Sequence, residues 1–279
     1  MSSRLSNPFT VPRGTTKLFG EWWHGSGPVV VLLHAGVADR RSWYQVADQI
    51  SEHARVVAYD RRGFGESRPG SEPFSHLDDL IAVLEFLEAD EVWLVGSSAG
   101  GRLALDASLE ASDRVAGLIL IAPAVSGAPS PDANDLEPHL VWLDSQIDQH
   151  VELGNLDEAN RFETWLWLDG PSQPEGRVRG ATRELFLEMN GIILANDLHE
   201  TVTHEVNAWA RLEEVKVSTT VACGSLDVGF LIARSKLLAA RIAKATYLDL
   251  EGMAHLPYFE NPQPVAGLVI HALTQGSQF

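Results

Sequence analysis

The sequence is poor in cysteine, and this scarcity excludes two kinds of stabilising site. Cys223 is the only cysteine among 279 residues. No disulfide can therefore form within the chain, and a zinc site built from several cysteines is excluded. The fold must depend on a hydrophobic core, for which 279 residues with 45% hydrophobic side chains are sufficient.

Basic residues are scarce relative to acidic ones. The chain has 21 lysines and arginines against 38 aspartates and glutamates, which gives a formal net charge of -17. A surface that binds nucleic acid or an anionic membrane needs clustered cations. We therefore expect neither nucleic acid nor a membrane as a partner, and we attribute most of the acidity to solubility.

Long apolar runs are also missing. The longest, from Ala116 to Val125, is about half the length that a membrane-spanning helix needs. Residues 1–8 contain no apolar stretch of the kind found in secretory signals. From these absences we expect a soluble protein in the cytoplasm.

Short apolar runs alternate with segments of helical period, a pattern typical of a parallel sheet covered by helices. Several of the runs are nearly continuous in valine, isoleucine and leucine, as expected for strands buried on both faces. The predicted strands are Val29–His34, Val56–Asp60, Glu91–Gly96, Leu118–Ala122, Val217–Gly224 and Ala245–Leu250.

Three helix starts and one long interruption complete the predicted α/β architecture. Ser75 and Ser42 are predicted N-caps, and Asn261 is predicted to cap a last helix that begins at Pro262. The alternation stops between 126 and 215, where only helical patterns and turns occur. We predict a core formed by 1–125 and 216–279, with 126–215 as a helical lid.

The strongest chemical signal is the pattern Gly-Ser-Ser-Ala-Gly at 96–100, between a predicted strand and a predicted helix. Gly-x-Ser-x-Gly in this context indicates a nucleophile elbow centred on Ser98. The turn is so sharp that side chains two positions to either side would collide with the strand and helix.

A serine hydroxyl needs a positioned base, and that base needs an acceptor to orient it. His255 follows the last predicted strand, and Asp227 follows the strand before it. The order Ser, Asp, His along the chain is the one expected for this arrangement. The rival place for the acid, after the strand ending near Ala122, has no nearby carboxylate.

Three motifs accompany the contexts of Asp227 and His255: His34-Ala35-Gly36, Asp60–Ser67 and Gly96–Gly100. Together they resemble the α/β-hydrolase superfamily, most closely its serine esterase, lactonase and cofactor-free haloperoxidase branch. The resemblance covers nearly the whole chain and implies a Ser-His-Asp mechanism with no metal and no organic cofactor. It also implies that the helical lid is inserted between strands six and seven.

The same resemblance suggests the oxyanion hole. One donor would be the backbone N–H of Ala99, and the other that of Gly36, with Val37 as the alternative. Ala35 stands where the family usually has glycine, which leaves that choice open. We expect His34 to brace this loop, and the stretch 60–67 to be scaffolding near the pocket.

Several other signals are weak. His199, Glu200 and His204 miss the four-residue spacing of a zinc motif, so no metal site is expected. Cys223 is predicted to be a packing residue, and Arg61 and Arg62 are predicted to lie in a solvated loop. The aromatic residues of the predicted lid are expected mostly to form its own core: Trp142, Trp165, Trp167, Trp209, Phe162 and Phe186.

These observations predict a serine hydrolase that cleaves a carboxylic ester of a small to medium apolar substrate through an acyl-enzyme on Ser98. Lactonase, thioesterase and perhydrolase activities remain alternatives within the fold. A binding protein or receptor for a small ligand is the alternative outside enzymes. The oligomeric state leaves no separable pattern in the sequence.

Overall fold

A computed structural model describes residues 6–70, 72–132, 136–196 and 205–276. The strands are β1 (Asn7–Arg13), β2 (Thr16–Trp23), β3 (Val29–Leu33), β4 (Arg55–Tyr59), β5 (Val92–Ser97), β6 (Val115–Ile121), β7 (Ser218–Gly224) and β8 (Ala245–Leu250). The α-helices are α1 (Tyr44–Ile50), α2 (His76–Phe86), α3 (Ala99–Glu110), α4 (Pro138–Glu152), α5 (Leu156–Thr164), α6 (Ala181–Leu194), α7 (Gly229–Arg241), α8 (Pro257–Glu260) and α9 (Pro262–Gly276). Short 3-10 helices span Arg40–Trp43, Ser112–Arg114 and Ala208–Glu214, and Trp165–Asp169 is π-helical.

The eight strands form one sheet in the order β1-β2-β4-β3-β5-β6-β7-β8. The pairs from β4 to β8 are parallel, whereas β1 and β2 add to the β4 side as antiparallel strands. This is the predicted mostly parallel α/β sheet, and all six predicted strands are present within three residues of their predicted ends.

The sequence pattern missed β1 and β2. β1 contains Pro8 and Pro12, which argue against a strand, but β1 lies at the sheet edge, where proline is tolerated. The two strands are joined by a tight turn at Gly14, whose φ is +55°. Side chains of β2 are only partly buried, so the hairpin lacks the continuous apolar run of the central strands.

The core lies on both faces of the sheet. Along β3, Val29, Val31 and Leu33 belong to one hydrophobic cluster, while Val30 and Leu32 belong to a second cluster on the opposite face. This alternation follows from the two-residue period of a strand. Burial on both faces explains why β3 has no polar residue.

Two of the predicted helix starts can be compared directly with side-chain contacts. The cap at Ser75 is confirmed, because its Oγ accepts hydrogen bonds from the backbone of Leu77 at 3.2 Å and Asp78 at 3.3 Å. The cap at Ser42 is wrong. The chain enters a 3-10 helix two residues earlier, where Asp39 accepts from the backbone N–H of Arg41 at 2.9 Å.

Between β6 and β7 the described residues contain helices and turns but no strand. We call 126–215 the helical insertion. It has its own small core, formed by Leu143, Phe162 and Leu166 with neighbours, which packs on Val228 and Leu231 at the start of α7. In the described part of the chain, no helix is long and apolar enough to cross a membrane.

The two ends of the insertion are tied together at its base. Ser126 Oγ donates to Asp106 at 2.5 Å and accepts from the backbone N–H of Ala208 at 2.9 Å. The carbonyl of Ser126 also accepts from Trp209 N–H at 2.9 Å. These bonds close a loop of more than eighty residues onto α3.

Candidate active site

The carboxyl edge of the parallel strands carries the three residues predicted to perform chemistry. Ser98 follows β5, Asp227 follows β7 and His255 follows β8. These strands run in the same direction, so the three residues lie beyond the same edge of the sheet. Parallel sheets of α/β proteins bind ligands outside this edge.

Ser98 forms a sharp turn between β5 and α3. Its φ of 51° and ψ of -115° are conformations that residues with side chains rarely adopt. The turn is held by its backbone, since Ser98 N–H donates to the Ile121 carbonyl at 2.9 Å and its carbonyl accepts from Ala124 N–H at 3.0 Å. Every residue of β5 is buried, whereas Ser98 is half-buried, so the chain emerges from the core at this serine.

Both glycines of the pattern are required by close backbone approach. A Cβ on Gly96 would lie 2.3 Å from the carbonyl oxygen of Gly100. A Cβ on Gly100 would lie 2.2 Å from the carbonyl oxygen of Leu33, at the end of the neighbouring strand. The strand before Ser98 and the helix after it are therefore closer than any side chain would permit.

His255 and Asp227 form a buried pair. His255 Nδ1 lies 2.9 Å from Asp227 Oδ2, and the side chains are 3% and 0% exposed. Asp227 Oδ1 accepts from the backbone N–H of Val228 at 2.7 Å, and Cys223 Sγ donates to Oδ2 at 3.4 Å. The carboxylate therefore has acceptor bonds on both oxygens, and Nδ1 of His255 is committed to it, which leaves Nε2 for other partners.

Cys223 is buried in β7, as the sequence predicts for a packing residue. Burial raises the pKa of the Cys223 thiol, and the neighbouring Asp227 carboxylate raises it further. The thiol is therefore a neutral donor beside Asp227, and no thiolate forms near neutral pH.

The loops that carry Asp227 and His255 are joined to each other. Leu226 N–H donates to the Met253 carbonyl at 2.9 Å, and Gly252 N–H donates to Ser225 Oγ at 2.9 Å. A Cβ on Gly224 would lie 2.1 Å from the Ala254 carbonyl oxygen. The separation of the two side chains is therefore set by backbone contacts between the loops.

The loop after β3 rests on the start of α3. A Cβ on Gly36 would lie 3.8 Å from the Cβ of Ala99, the first residue of α3. The first N–H groups of a helix have no partner within it. Gly36 and Val37 are half-buried between buried neighbours, so the two segments assigned to the oxyanion hole lie side by side.

His34 braces this loop, as expected. Its Nδ1 lies 2.8 Å from the carbonyl oxygen of Ala35, and its Nε2 accepts from the backbone N–H of Arg61 at 3.0 Å. A ring that donates at Nδ1 and accepts at Nε2 is neutral. Burial, reinforced by the Arg61 charge, holds the pKa of His34 well below its ordinary value.

The expectation that Arg61 and Arg62 lie in a solvated loop is wrong, because both are buried. Arg62 makes a two-pronged ion pair with Asp79 at 2.9 and 2.8 Å. Arg61 lies over the Phe64 ring at 4.4 Å and donates to the Ala35 carbonyl at 3.2 Å. Buried carboxylate, carbonyl and aromatic partners replace the water that the charged heads would otherwise require.

The stretch 60–67 is a tightly bonded turn, in agreement with its predicted scaffolding role. Asp60 is fully buried and accepts from the backbone N–H groups of Arg40 at 2.9 Å and Glu66 at 2.8 Å. A Cβ on Gly65 would lie 2.3 Å from the Asp60 carboxylate. Burial raises the pKa of Asp60 to about 6, although the Arg40 guanidinium opposes this rise.

The aromatic residues of the insertion have several different environments. Phe162 lies in the insertion's own core, Phe186 lies in the main core, and Trp209 packs on the other face of the sheet. Trp165 packs on the insertion core, and the 42% exposed Trp142 contacts Phe162 and Trp165 with ring centroids 5.7 and 5.9 Å apart. The expectation that most of these aromatics form the insertion's own core is therefore confirmed, and it is wrong for Phe186 and Trp209. Trp167 contacts the site directly, with its ring centroid 4.7 Å from that of His255.

The sequence interpretation missed Arg177 and Glu260. Both contact residues 251–256, the loop that carries His255 and is called the His255 loop below. Glu260 accepts from Ala254 N–H at 2.7 Å and pairs with Arg177 at 2.5 Å. The two residues are separated by 83 positions, and no local pattern connects them. The position of Glu260 five residues after His255 is the one signal that could have drawn attention to it.

The Ser98 hydroxyl and His255 are not hydrogen-bonded to each other in the part of the chain that the structure describes. In proteins of this kind such bonds often form only when a substrate closes the site. His199, Glu200 and His204 lie outside the described residues. Within those residues, no group of three potential metal ligands is present.

Comparison with known proteins identifies the family and agrees with the fold. The sequence profile of the "Alpha/beta hydrolase family" matches residues 30–268. The chain belongs to the alpha/beta hydrolase family. The resemblance seen in the sequence is thereby confirmed at the level of the superfamily, and the expectation of a hydrolase is supported.

Individual relatives are distant. A 2-hydroxymuconate semialdehyde hydrolase from Pseudomonas sp. (strain CF600) is 28% identical over 88% of this chain and 83% of its own length. The structure of an esterase from Rhodococcus sp. ECU1013 has a TM-score of 0.77 at 22% identity, covering 96% of this chain and 98% of that one. A bromoperoxidase from Bacillus anthracis has a TM-score of 0.76 at 22% identity, covering 96% and 100%. At these identities the two structures establish the fold alone.

Proposed function

We propose that this protein is a serine hydrolase that cleaves a carboxylic ester of a small to medium apolar substrate. The observation that carries the proposal is the strained Ser98 turn at the sheet edge that also holds the buried Asp227–His255 pair. Backbone strain at one serine is costly, and it persists in proteins chiefly at functional sites.

In the proposed first step, Ser98 Oγ attacks the ester carbonyl carbon while His255 Nε2 takes the hydroxyl proton. Nε2 is assigned this role because Nδ1 is bonded to Asp227. Asp227 stays ionised and stabilises the imidazolium. The tetrahedral intermediate collapses, the alcohol leaves with the proton from His255, and an acyl-enzyme remains on Ser98.

In the second step, water attacks the acyl carbon as His255 takes its proton, and the acid leaves with Ser98 restored. The negative oxygen of both tetrahedral intermediates would lie against the backbone N–H of Ala99 and that of Gly36, with Val37 as the alternative to Gly36. Each such donor contributes about two to three orders of magnitude in rate.

The test uses p-nitrophenyl esters of increasing acyl length with the unmodified protein, Ser98→Ala and Ser97→Ala. Ser97 is the buried neighbour of Ser98 in β5 and serves as the matched control. We expect Ser98→Ala to lower kcat by several orders of magnitude in a folded protein, and Ser97→Ala to change it less than about tenfold. The acyl-length profile then reports the pocket size.

A second experiment does not depend on the choice of ester. The protein is treated with a fluorophosphonate, and the modified peptide is identified by mass spectrometry. Modification at Ser98 alone supports the activated serine. Modification at another residue, or none in the folded protein, contradicts the proposed mechanism and favours a small-ligand-binding role.

A second candidate activity follows from the relative named for 2-hydroxymuconate semialdehyde, which matches 88% of this chain. That compound is tested beside the esters, with its consumption followed by chromatography. Turnover of the semialdehyde at a kcat/KM far above that of every ester would replace the ester proposal. Lactones, thioesters and acids with peroxide complete the panel, because they would use the same acyl-enzyme.

A further inference from the structure

One arginine of the helical insertion bonds to the His255 loop and to the helix that follows it. Arg177 Nη2 pairs with Glu260 at 2.5 Å, and its Nη1 donates to the Gly252 carbonyl at 3.4 Å. The same guanidinium donates back into the insertion, to the carbonyls of Leu168 at 2.9 Å and Asp169 at 2.6 Å. One side chain therefore joins the π-helical turn to Gly252 in the His255 loop and to Glu260 in α8.

Arg177 is held in this position by Asp169. The Asp169 carboxylate is buried and accepts from the backbone N–H groups of Gly176 at 2.8 Å and Val178 at 2.9 Å, the two neighbours of Arg177. Arg183 Nη1 supplies the counter-charge at 2.7 Å. Three charge-assisted bonds therefore shape the turn that presents Arg177.

Glu260 connects Arg177 to the backbone of Ala254, the residue before His255. Its Oε1 accepts from Ala254 N–H at 2.7 Å, and its Oε2 accepts from Arg177. The Glu260 side chain is 5% exposed, so water competes little for either bond. Ala254 directly precedes His255, and the bond to its N–H fixes the orientation of the Met253–Ala254 peptide plane, one peptide before the bond to His255.

The π-helical turn makes two further contacts with the site. Trp167, in its middle, lies against the His255 ring. Gly170, which ends the turn with a φ of +98°, is so close to the other loops that a Cβ would lie 2.7 Å from the Leu226 carbonyl and 3.3 Å from Ala254. Helices with π geometry occur often at functional sites.

We propose that Arg177 and Glu260 are positioning residues: their ion pair holds the 252–254 backbone and the Trp167 turn in one arrangement, and so fixes the His255 ring between Asp227 and Trp167. The inference rests on the proposed function where it concerns rate. The π-helical turn with Gly170, residues 165–170, is then a fixed wall of the site.

The first test compares Glu260→Gln with Glu175→Gln in the ester assay. Glutamine at 260 keeps the size and can still accept from Ala254 N–H, but it removes the charge that faces Arg177. Glu175 is the matched control, because it pairs with Arg161 at 2.7 and 2.8 Å on the same insertion, away from the His255 loop.

We expect Glu260→Gln to lower kcat by about 10- to 100-fold with KM changed less than about threefold, since small displacements of a reacting group have effects of this size. Glu175→Gln should change neither constant more than about twofold. Equal effects of the two substitutions on kcat would overturn the positioning role and leave only a structural ion pair.

A double-mutant cycle with Arg177→Met and Glu260→Gln tests whether the two residues act as a unit. If they do, the double variant loses no more activity than the worse single variant. Additive losses in kcat would contradict the proposal. Circular dichroism and thermal unfolding confirm that each variant is folded at the assay temperature.

A third readout needs no substrate. The imidazole nitrogens and N–H protons of His255 are followed by NMR, with those of His34 as an internal reference, because His34 contacts neither Arg177 nor Glu260. Glu260→Gln should shift the His255 signals and leave those of His34 unchanged. Unchanged His255 signals would contradict the positioning role of Arg177 and Glu260, whether or not the protein hydrolyses an ester. If those signals shift while the unmodified protein hydrolyses no ester, the proposed function fails and the positioning contact stands.

Discussion

The ring centroid of Trp167 lies 4.7 Å from the ring centroid of His255, and the two ring planes make an angle of 47°. Trp167 belongs to the insertion and His255 to the last loop of the core, so the insertion forms part of the surroundings of the proposed base. The contact shields one side of the His255 ring from water. Arg177 stabilises the turn that carries Trp167, because it donates to the carbonyls of the next two residues, Leu168 and Asp169.

Removal of this ring is expected to lower activity. We predict that Trp167→Ala reduces kcat/KM for ester hydrolysis by about tenfold or more, because a misplaced base loses alignment with Ser98. Trp167→Phe should retain most of the activity, since it keeps an aromatic face. The control is Trp142→Ala, an exposed tryptophan of the same insertion. Losses of equal size in Trp142→Ala and Trp167→Ala would show that the contact with His255 has no special role.

The glycines around Ser98 are expected to be essential for stability. Gly100→Ala should lower the free energy of unfolding by about 2–4 kcal/mol, because its Cβ would lie 2.2 Å from the Leu33 carbonyl oxygen. Gly267→Ala in α9 is the control. No atom lies within 4 Å of its added Cβ, so alanine should stabilise the helix by about 0.5–1 kcal/mol. Urea unfolding measures both, and a Gly100→Ala protein as stable as the parent would contradict the close approach.

The thiol of Cys223 should resist modification in the folded protein. It is buried, and its pKa is raised by burial and by the Asp227 carboxylate, so almost no thiolate is present at pH 8. We predict that a thiol reagent labels the native protein at least a hundredfold more slowly than the urea-unfolded chain, in which one thiol reacts. Rapid labelling of the native state would mean that the 223–227 segment opens readily.

Acid should destabilise the protein through His34. The unfolded chain takes up a proton at this histidine near pH 6.5, whereas the folded pKa is well below that value. At His34 more protons bind to the unfolded state, so the contribution of His34 to the free energy of unfolding falls as pH decreases below about 6.5. Asp60, whose pKa is raised to about 6, contributes with the opposite sign. In His34→Gln the slope of the free energy of unfolding against pH should be smaller by up to about 1.4 kcal/mol per pH unit.

Two comparisons make the His34 measurement specific. His271→Gln, at an exposed position of α9, should leave the slope as it is in the parent protein. Some slope should survive in His34→Gln, because burial also holds the pKa of His76 well below its ordinary value. The same slope in His34→Gln and in the parent would show that His34 is protonated in the fold.

Much of the site could be predicted from short stretches of sequence. The elbow depends on glycines within two residues of Ser98, and a local pattern can therefore encode it. β7, which precedes Asp227, is apolar and buried from Val221 to Cys223, so its end could be found along the chain. β8, which precedes His255, lies at the sheet edge, and among its residues only Leu250 is buried. The parallel pairing of β7 and β8 brings both strand ends to the same edge of the sheet, and backbone contacts between the loops set the separation of the two side chains.

The sequence predictions are wrong where the environment of a residue is determined by partners from other parts of the fold. Arg61 and Arg62 resemble solvated loop residues until Phe64, the Ala35 carbonyl and Asp79 are brought around them. The first hairpin was missed because an edge strand with two prolines lacks the apolar run of a central strand. Both cases are decided by neighbours in space, which composition and periodicity do not encode.

The sequence by itself therefore determined the α/β class, the Ser98 turn and the order of Ser98, Asp227 and His255, because these depend on local backbone sterics and strand burial. Tertiary structure alone decided which part of the insertion contacts His255. Trp167 lies 88 residues before His255, and Arg177 lies 83 residues before Glu260. Such contacts arise from the way packed segments meet, and no periodic signal in the chain specifies them.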